Sequence, residues 1–197
     1  MRATAEARKE RSDAFGPLVG LVAIMWIVEM VDLFVGGRLD GLGIEPRDAD
    51  GLIGIGLAPF LHAGFGHLIA NTIPLVLMGF AIALSGLARV VAVTVVVGLV
   101  SGLGTWLIAP AGTVHIGASG LVFGYATYLI SRGLFSRNLL HLALGGVIVL
   151  VFGTVLLGGL IPEDGVSWQA HLFGAIGGVL VARLLTPDRA KPAIASA

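Results

Sequence analysis

The stretch Gly117-Ala118-Ser119-Gly120-Leu121-Val122-Phe123 marks the point where a polar loop turns into an apolar helix. A second apolar segment, about fifty positions later, carries His171. A hydroxyl and an imidazole inside lipid-facing segments cost free energy and are kept mainly for packing, transport or chemistry. Together they point to a serine nucleophile and its base working within a membrane.

The rest of the chain fits that setting. Of its 197 residues 56% are apolar and only 12% charged, against about a quarter charged in a soluble domain. Six apolar stretches run over 18–35, 67–84, 90–108, 119–130, 139–160 and 170–185. Most approach the roughly 20 residues that cross about 30 Å of hydrocarbon. The fourth is short, and spans if its first turn starts below the membrane surface, buried in protein or lining a water-filled cavity. The expected fold is all-α, a polytopic membrane protein with six transmembrane helices. Residues 1–16 form a charged cytosolic leader, 17–186 the membrane domain and 187–197 a flexible cytosolic tail.

Charge placement orients the bundle. Arg2, Arg8, Lys9 and Arg11 precede the first stretch, Arg89 follows the second, Arg132 and Arg137 the fourth, and Arg183, Arg189 and Lys191 close the chain. The opposite loops hold Arg38 and Arg47 among Asp40, Glu45, Asp48, Asp50, Glu163 and Asp164. The positive-inside rule then puts both termini in the cytosol. Basic residues are nearly all arginine and Ala and Gly abound, a usage of GC-rich bacteria. The expectation is a bacterial cytoplasmic (inner) membrane, with the site opening to the outer side. Zero net charge argues against a nucleic-acid partner. The absence of cysteine excludes disulfides and thiolate chemistry.

Residues 36–66 make an outer loop too long for a bare connection. Its apolar pieces, including Ile55, Leu57 and Phe60, predict a structured hairpin. Among thirty glycines, Gly98 with Gly102 and Gly174 with Gly178 have the small-xxx-small spacing that lets helix backbones approach. The second pair follows His171 at i+3 and i+7, on the same face, so close packing there brings His171 toward a neighbouring helix.

Gly117 and Gly120 allow a tight turn and leave room beside the Ser119 hydroxyl. A helix start offers free N–H groups and a favourable dipole for developing negative charge, though Ser is also a common N-cap. His171 supplies the base. No acidic residue lies near it in sequence, so a dyad is expected, with Phe123, one turn after Ser119, stacking on the imidazole. In His62-Ala-Gly-Phe-Gly-His67-Leu-Ile-Ala-Asn71, His67 and Asn71 share a helix face and can both donate toward one point, as an oxyanion requires. His62 sits in the loop before them. With Asn a poor ligand and no carboxylate or thiolate in the set, no metal or other cofactor is expected. Glu29 and Asp32 are read as structural, facing the interface or pairing with the outer loop through Arg38 or Arg47, and His115 and His141 as solvent or interface histidines.

His67-x-x-x-Asn71 on the second stretch, Gly117-x-Ser119-Gly120 opening the fourth, and Ala170-His171-x-x-Gly174-x-x-x-Gly178 on the sixth resemble the rhomboid family of intramembrane serine proteases. The resemblance covers nearly the whole chain. It implies that Ser119 attacks and His171 acts as base and then acid. His67, Asn71 and the Ser119 backbone N–H would stabilise the oxyanion, with His62 matching a histidine found before that motif in many members. The implied substrates are transmembrane segments of other proteins, met within the bilayer. The Trp-Arg pair of many members' first outer loop is missing, and Phe123 stands where many bacterial members have Tyr. Two other functions would use the same polar residues: binding of transmembrane clients without turnover, and solute transport. The intact serine and histidine argue against the first, and the absence of internal repeats against the second.

Overall fold

A computed structural model describes residues 13–186; the leader up to residue 12 and the tail from residue 187 lie outside the described residues. Six long helices follow one another: α1 (Gly16–Val35), α2 (Phe65–Ala83), α3 (Leu87–Ile108), α4 (Ser119–Ser136), α5 (Leu139–Gly158) and α6 (Trp168–Leu185). Among the described residues there is no strand, only an isolated antiparallel bridge between Ile44 and His115.

The helix ends follow from local chemistry. Pro17 lies in the first turn of α1, where its missing N–H costs nothing. Asn138 caps α5 by accepting from the N–H groups of Leu140 and His141, two donors otherwise without partners.

Five of the six helices, all but α4, are long and apolar enough to cross a membrane. The fourth apolar stretch was expected to end near residue 130; α4 instead continues for 18 residues to Ser136, about 27 Å at 1.5 Å per residue. The physical reason for its weaker hydropathy is position. Helix α4 is the central element, packed against α2, α3, α5 and α6, so Gly120 through Ala126, with Tyr128 and Leu129, are buried in protein. Such a helix needs no lipid-facing stripe. It therefore tolerates Arg132, which was expected in a loop and instead lies within α4, its guanidinium donating to Ser85 Oγ at 2.7 Å. At the other extreme is α5, with only Gly145 and Ile148 buried and Leu150 86% exposed. In lipid that face is satisfied; in water it would not be.

Where α4 crosses α6 the two backbones touch. A Cβ on Gly174 would strike the Gly120 carbonyl, and one on Gly178 the Gly124 carbonyl and the Thr127 hydroxyl. Thr127 Oγ1 then donates across to the Ala175 carbonyl at 2.8 Å. The other small pair works differently: Gly102 makes room for Ile55 of the long loop, whereas a Cβ on Gly98 would meet only Leu121 at 3.8 Å.

The loop between α1 and α2 is a folded hairpin of three 3-10 turns and the one-turn helix Gly54–Leu57. Arg47, at φ 62°, donates Nη1 to the carbonyls of Leu107 and Ala109 at 3.1 and 2.8 Å. Trp106 reaches back from α3 to the Asp48 carbonyl at 2.7 Å. A tryptophan and an arginine thus do anchor this loop, but from opposite sides of the contact. Arg47 is accordingly not the partner of Glu29 or Asp32. Asp32 Oδ1 accepts the Leu39 N–H at 2.7 Å, while buried Glu29 keeps Oε2 without a hydrogen bond.

Candidate active site

Ser119 is the first residue of α4, and Ala118, not Ser119, holds the N-cap position without any side-chain cap. The serine hydroxyl is thereby free to turn away from its own helix. It meets His171 Nε2 at 2.8 Å.

The ring's other nitrogen, Nδ1, lies 2.7 Å from the Gly159 carbonyl. A carbonyl can only accept, so Nδ1 carries the proton and Nε2 is left bare to accept from Ser119 Oγ–H. That is the tautomer a general base needs. Its orienting partner is a main-chain carbonyl at the end of α5. Phe123 supports the ring from one face, with centroids 4.2 Å apart and planes 2° from parallel. Gly159 must be glycine for this to fit: a Cβ there would come within 2.6 Å of Phe123 Cζ and 3.0 Å of His171 Nδ1.

Across from the pair stands the second cluster. His67 Nδ1 accepts a long 3.4 Å hydrogen bond from the Ala63 N–H, which leaves Nε2 as the protonated nitrogen. Asn71 Nδ2 donates one hydrogen to the His67 carbonyl at 3.2 Å and has a second to spare. Both side chains border Gly117, whose φ of +109° strains any other residue and whose Cβ would lie 2.8 Å from His67 Nε2 and 3.7 Å from Asn71 Nδ2. These two donors and Ser119 line the same cleft, and the first turn of α4 leaves its N–H groups without intrahelical partners.

His62 is buried behind this cluster and touches no open space. Its Nε2 accepts from the Ala118 N–H at 3.4 Å and its ring meets His67 edge-on at 5.0 Å. Burial pushes its pKa down to about 4, helped by the nearby His67. It is a neutral prop beneath the serine turn. Among the described residues no three His, Cys, Asp or Glu side chains converge as a metal site.

Ser119, His171, His67, Asn71 and Phe123 line a cleft of about 1230 Å³. Helix α2 gives it Asn71 and Pro74, and α5 gives it Phe152 and Leu156; Ser119 and His171 lie at its floor. Glu163 and Asp164, from the loop between α5 and α6, rim it. The structure thus brings together Ser119, His171, His67, Asn71, Gly117 and Phe123, with His62 below and Gly120, Gly174 and Gly178 at the helix crossing beneath.

Three neighbours went unsuggested by sequence reasoning. Gly159 acts through its main-chain carbonyl, which no side-chain motif signals. Ser101 donates to the Ala170 carbonyl at 2.8 Å and is one of several small polar residues on apolar helices. His115, expected to face solvent or an interface, is half-buried and bonded at both ring nitrogens; the spacing Ser167-x-x-x-His171 was its available clue.

The chain is similar to several known proteins. Uncharacterized proteins of Mycobacterium tuberculosis and Mycobacterium leprae are 46% and 43% identical to it, over 90% and 91% of this chain and 78% and 75% of theirs. A Bacillus subtilis protein named "Putative rhomboid protease" is 33% identical over 66% of each chain. A family model described as the rhomboid domain matches residues 50–188, the span that holds every residue of the cleft floor. The chain is an integral membrane protein and belongs to the rhomboid family.

Proposed function

We propose that the protein is an intramembrane serine endopeptidase that cleaves transmembrane segments of other membrane proteins. The observation that carries this reading is the 2.8 Å contact of Ser119 Oγ with an imidazole whose proton is held on the far nitrogen, at the floor of a cleft flanked by two membrane helices.

Ser119 Oγ attacks the scissile carbonyl as His171 Nε2 takes the hydroxyl proton. The tetrahedral oxyanion forms beside His67 Nε2–H, an Asn71 Nδ2–H and the Ser119 N–H, donors fixed before the charge develops. As the C–N bond breaks, His171 returns the proton to the leaving amine. Water then attacks the acyl-serine with His171 again as base, releasing the carboxylate and restoring the hydroxyl. The imidazolium formed on the way is stabilised by the Gly159 carbonyl and the Phe123 face, contributions of the order of 1 kcal/mol each. The cleft between α2 and α5 admits the substrate laterally and loop 161–168 covers it. The arginine distribution supports cytosolic termini, which turns the cleft to the outer side of a bacterial cytoplasmic membrane.

Wild type, Ser119→Ala and His171→Ala should be compared in liposomes with a fluorophosphonate probe and a labelled transmembrane substrate. Labelling and cleavage by wild type alone support the reading. A folded wild type that neither labels nor cleaves overturns it in favour of a client-binding protein.

A further inference from the structure

Four residues before Ser119 stands His115, and four residues before His171 stands Ser167. These two are also in contact: His115 Nδ1 and Ser167 Oγ lie 2.7 Å apart. The nucleophile and base are thus repeated, one step outward along both strands of chain, by a second histidine–serine pair that plays no part in the chemistry above.

The direction of every hydrogen bond in this second pair is determined. Thr113 Oγ1 donates its single hydrogen to the Pro110 carbonyl at 2.6 Å. It can only accept, then, from His115 Nε2–H at 2.8 Å. His115 Nδ1 is left bare and accepts a hydrogen bond from the Ser167 hydroxyl. Ser167, the N-cap of α6, consequently makes no side-chain cap for its own helix, unlike Asn138 at α5. Its hydroxyl is diverted to another loop. Its carbonyl, meanwhile, accepts the His171 N–H at 3.2 Å.

His115 is held equally firmly on its other side. Its N–H and carbonyl both pair with Ile44 of the long loop, at 3.0 and 2.9 Å. Two residues on, Gly117 N–H binds the Ala58 carbonyl at 2.8 Å. One residue therefore joins the α1–α2 loop through its backbone to the α3–α4 and α5–α6 loops through its ring. Burial keeps the imidazole below its ordinary pKa, in the neutral form this pattern requires.

We infer that His115 is a positioning residue: its clasp on Ser167 sets the register of the Ser119 turn against the His171 helix at the mouth of the cleft. The glycine crossing of α4 and α6 holds the same two elements together below the dyad, and the clasp holds them above it. It also divides loop 161–168 into two parts. Residues 161–165 are exposed and end at Gly165 with φ +78°; Ser167, two residues on, is pinned. Lid movement is then confined to the segment before Gly165 and does not reach His171.

The kinetic arm of the test rests on the protease reading; the exchange arm does not. His115→Phe keeps an aromatic ring and removes both hydrogen bonds, whereas His115→Asn keeps an acceptor, Oδ1, near the Nδ1 position. Ser167→Ala and the double variant Ser167→Ala/His115→Phe complete the set, all in liposomes with thermal melts to verify folding. His115→Phe and Ser167→Ala should each lower kcat about 10- to 100-fold, the scale of a misplaced reacting group, with KM within about twofold. The double variant should be no worse than the poorer single one, and His115→Asn should recover most of the rate. Amide exchange should quicken together in 113–119 and 165–171. Wild-type kcat in His115→Phe, losses that multiply in the double variant, or losses confined to KM would overturn the inference. So would unchanged exchange in either segment, whether or not the wild type is active. A wild type that fails to label while the exchange result holds would strike the protease reading and leave the clasp standing.

Discussion

Phe123 and His171 lie face to face, their ring planes 2° from parallel and their centroids 4.2 Å apart. With Nδ1 bonded to a carbonyl and no carboxylate beside the ring, this contact fixes the imidazole plane. Phe123→Leu should leave KM unchanged and lower kcat about tenfold, since a contact worth roughly 1 kcal/mol is lost along with orientation. Phe123→Tyr should stay close to wild type. Steady-state kinetics on a transmembrane substrate checks both; equal rates for Leu and Phe would remove any role for the stack.

Gly117 is held at φ +109°, with His67 against the place a side chain would occupy. Gly117→Ala must therefore push the His67 ring away from the oxyanion position. A loss of about 10²- to 10³-fold in kcat is expected, the cost of one oxyanion donor. The fluorophosphonate labelling rate should fall in parallel, because that reagent also develops negative charge on oxygen. Normal labelling by a folded Gly117→Ala protein would rule out this use of His67.

The α4–α6 crossing makes a prediction about stability. Gly174→Ala and Gly178→Ala place a methyl group against main-chain carbonyls, and should each cost about 1–3 kcal/mol, the range for overpacking. Gly146→Ala, on the lipid side of α5 where a Cβ meets nothing within 4 Å, is the control and should cost nothing. Thermal melts in one detergent would compare all three, and similar midpoints would mean that the backbones do not touch.

Acid should destabilise the fold partly through His62. Its pKa is about 4 in the folded protein against 6.5 for the ordinary group. Between those values the unfolded chain binds a proton that the folded chain refuses, so stability falls as pH drops from about 6.5 to 4 and is fully present at neutral pH. His62→Gln should flatten that acid limb, whatever it does to the midpoint at pH 7. Parallel slopes of melting temperature against pH for the two proteins would refute the assignment.

The helices were legible because a membrane demands long apolar runs, and the candidate site because Ser119, His171, His67 and Asn71 are polar residues in apolar surroundings. The far end of α4 was not. Its hydropathy fades after residue 130 because Ser131, Arg132, Gly133 and Ser136 interrupt the apolar run, although the helix continues through them. Nor could spacing find the loop anchor: Arg47 and Trp106 lie far apart in sequence and meet main-chain carbonyls, which accept from any donor. The same holds for Gly159, whose contribution is a carbonyl oxygen that every residue possesses.

Gly159 is also the C-cap residue of α5, the helix at the side of the cleft, its N–H donating to the Val155 and Leu157 carbonyls while its carbonyl holds His171. If α5 swings aside to admit a substrate, the acceptor that holds the His171 proton on Nδ1 goes with it. The preference between the two imidazole nitrogens then relaxes, and Ser119 faces a less well prepared base. When α5 returns, the preference is restored. Through one hydrogen bond, such a movement would disarm the open form and cock the closed one.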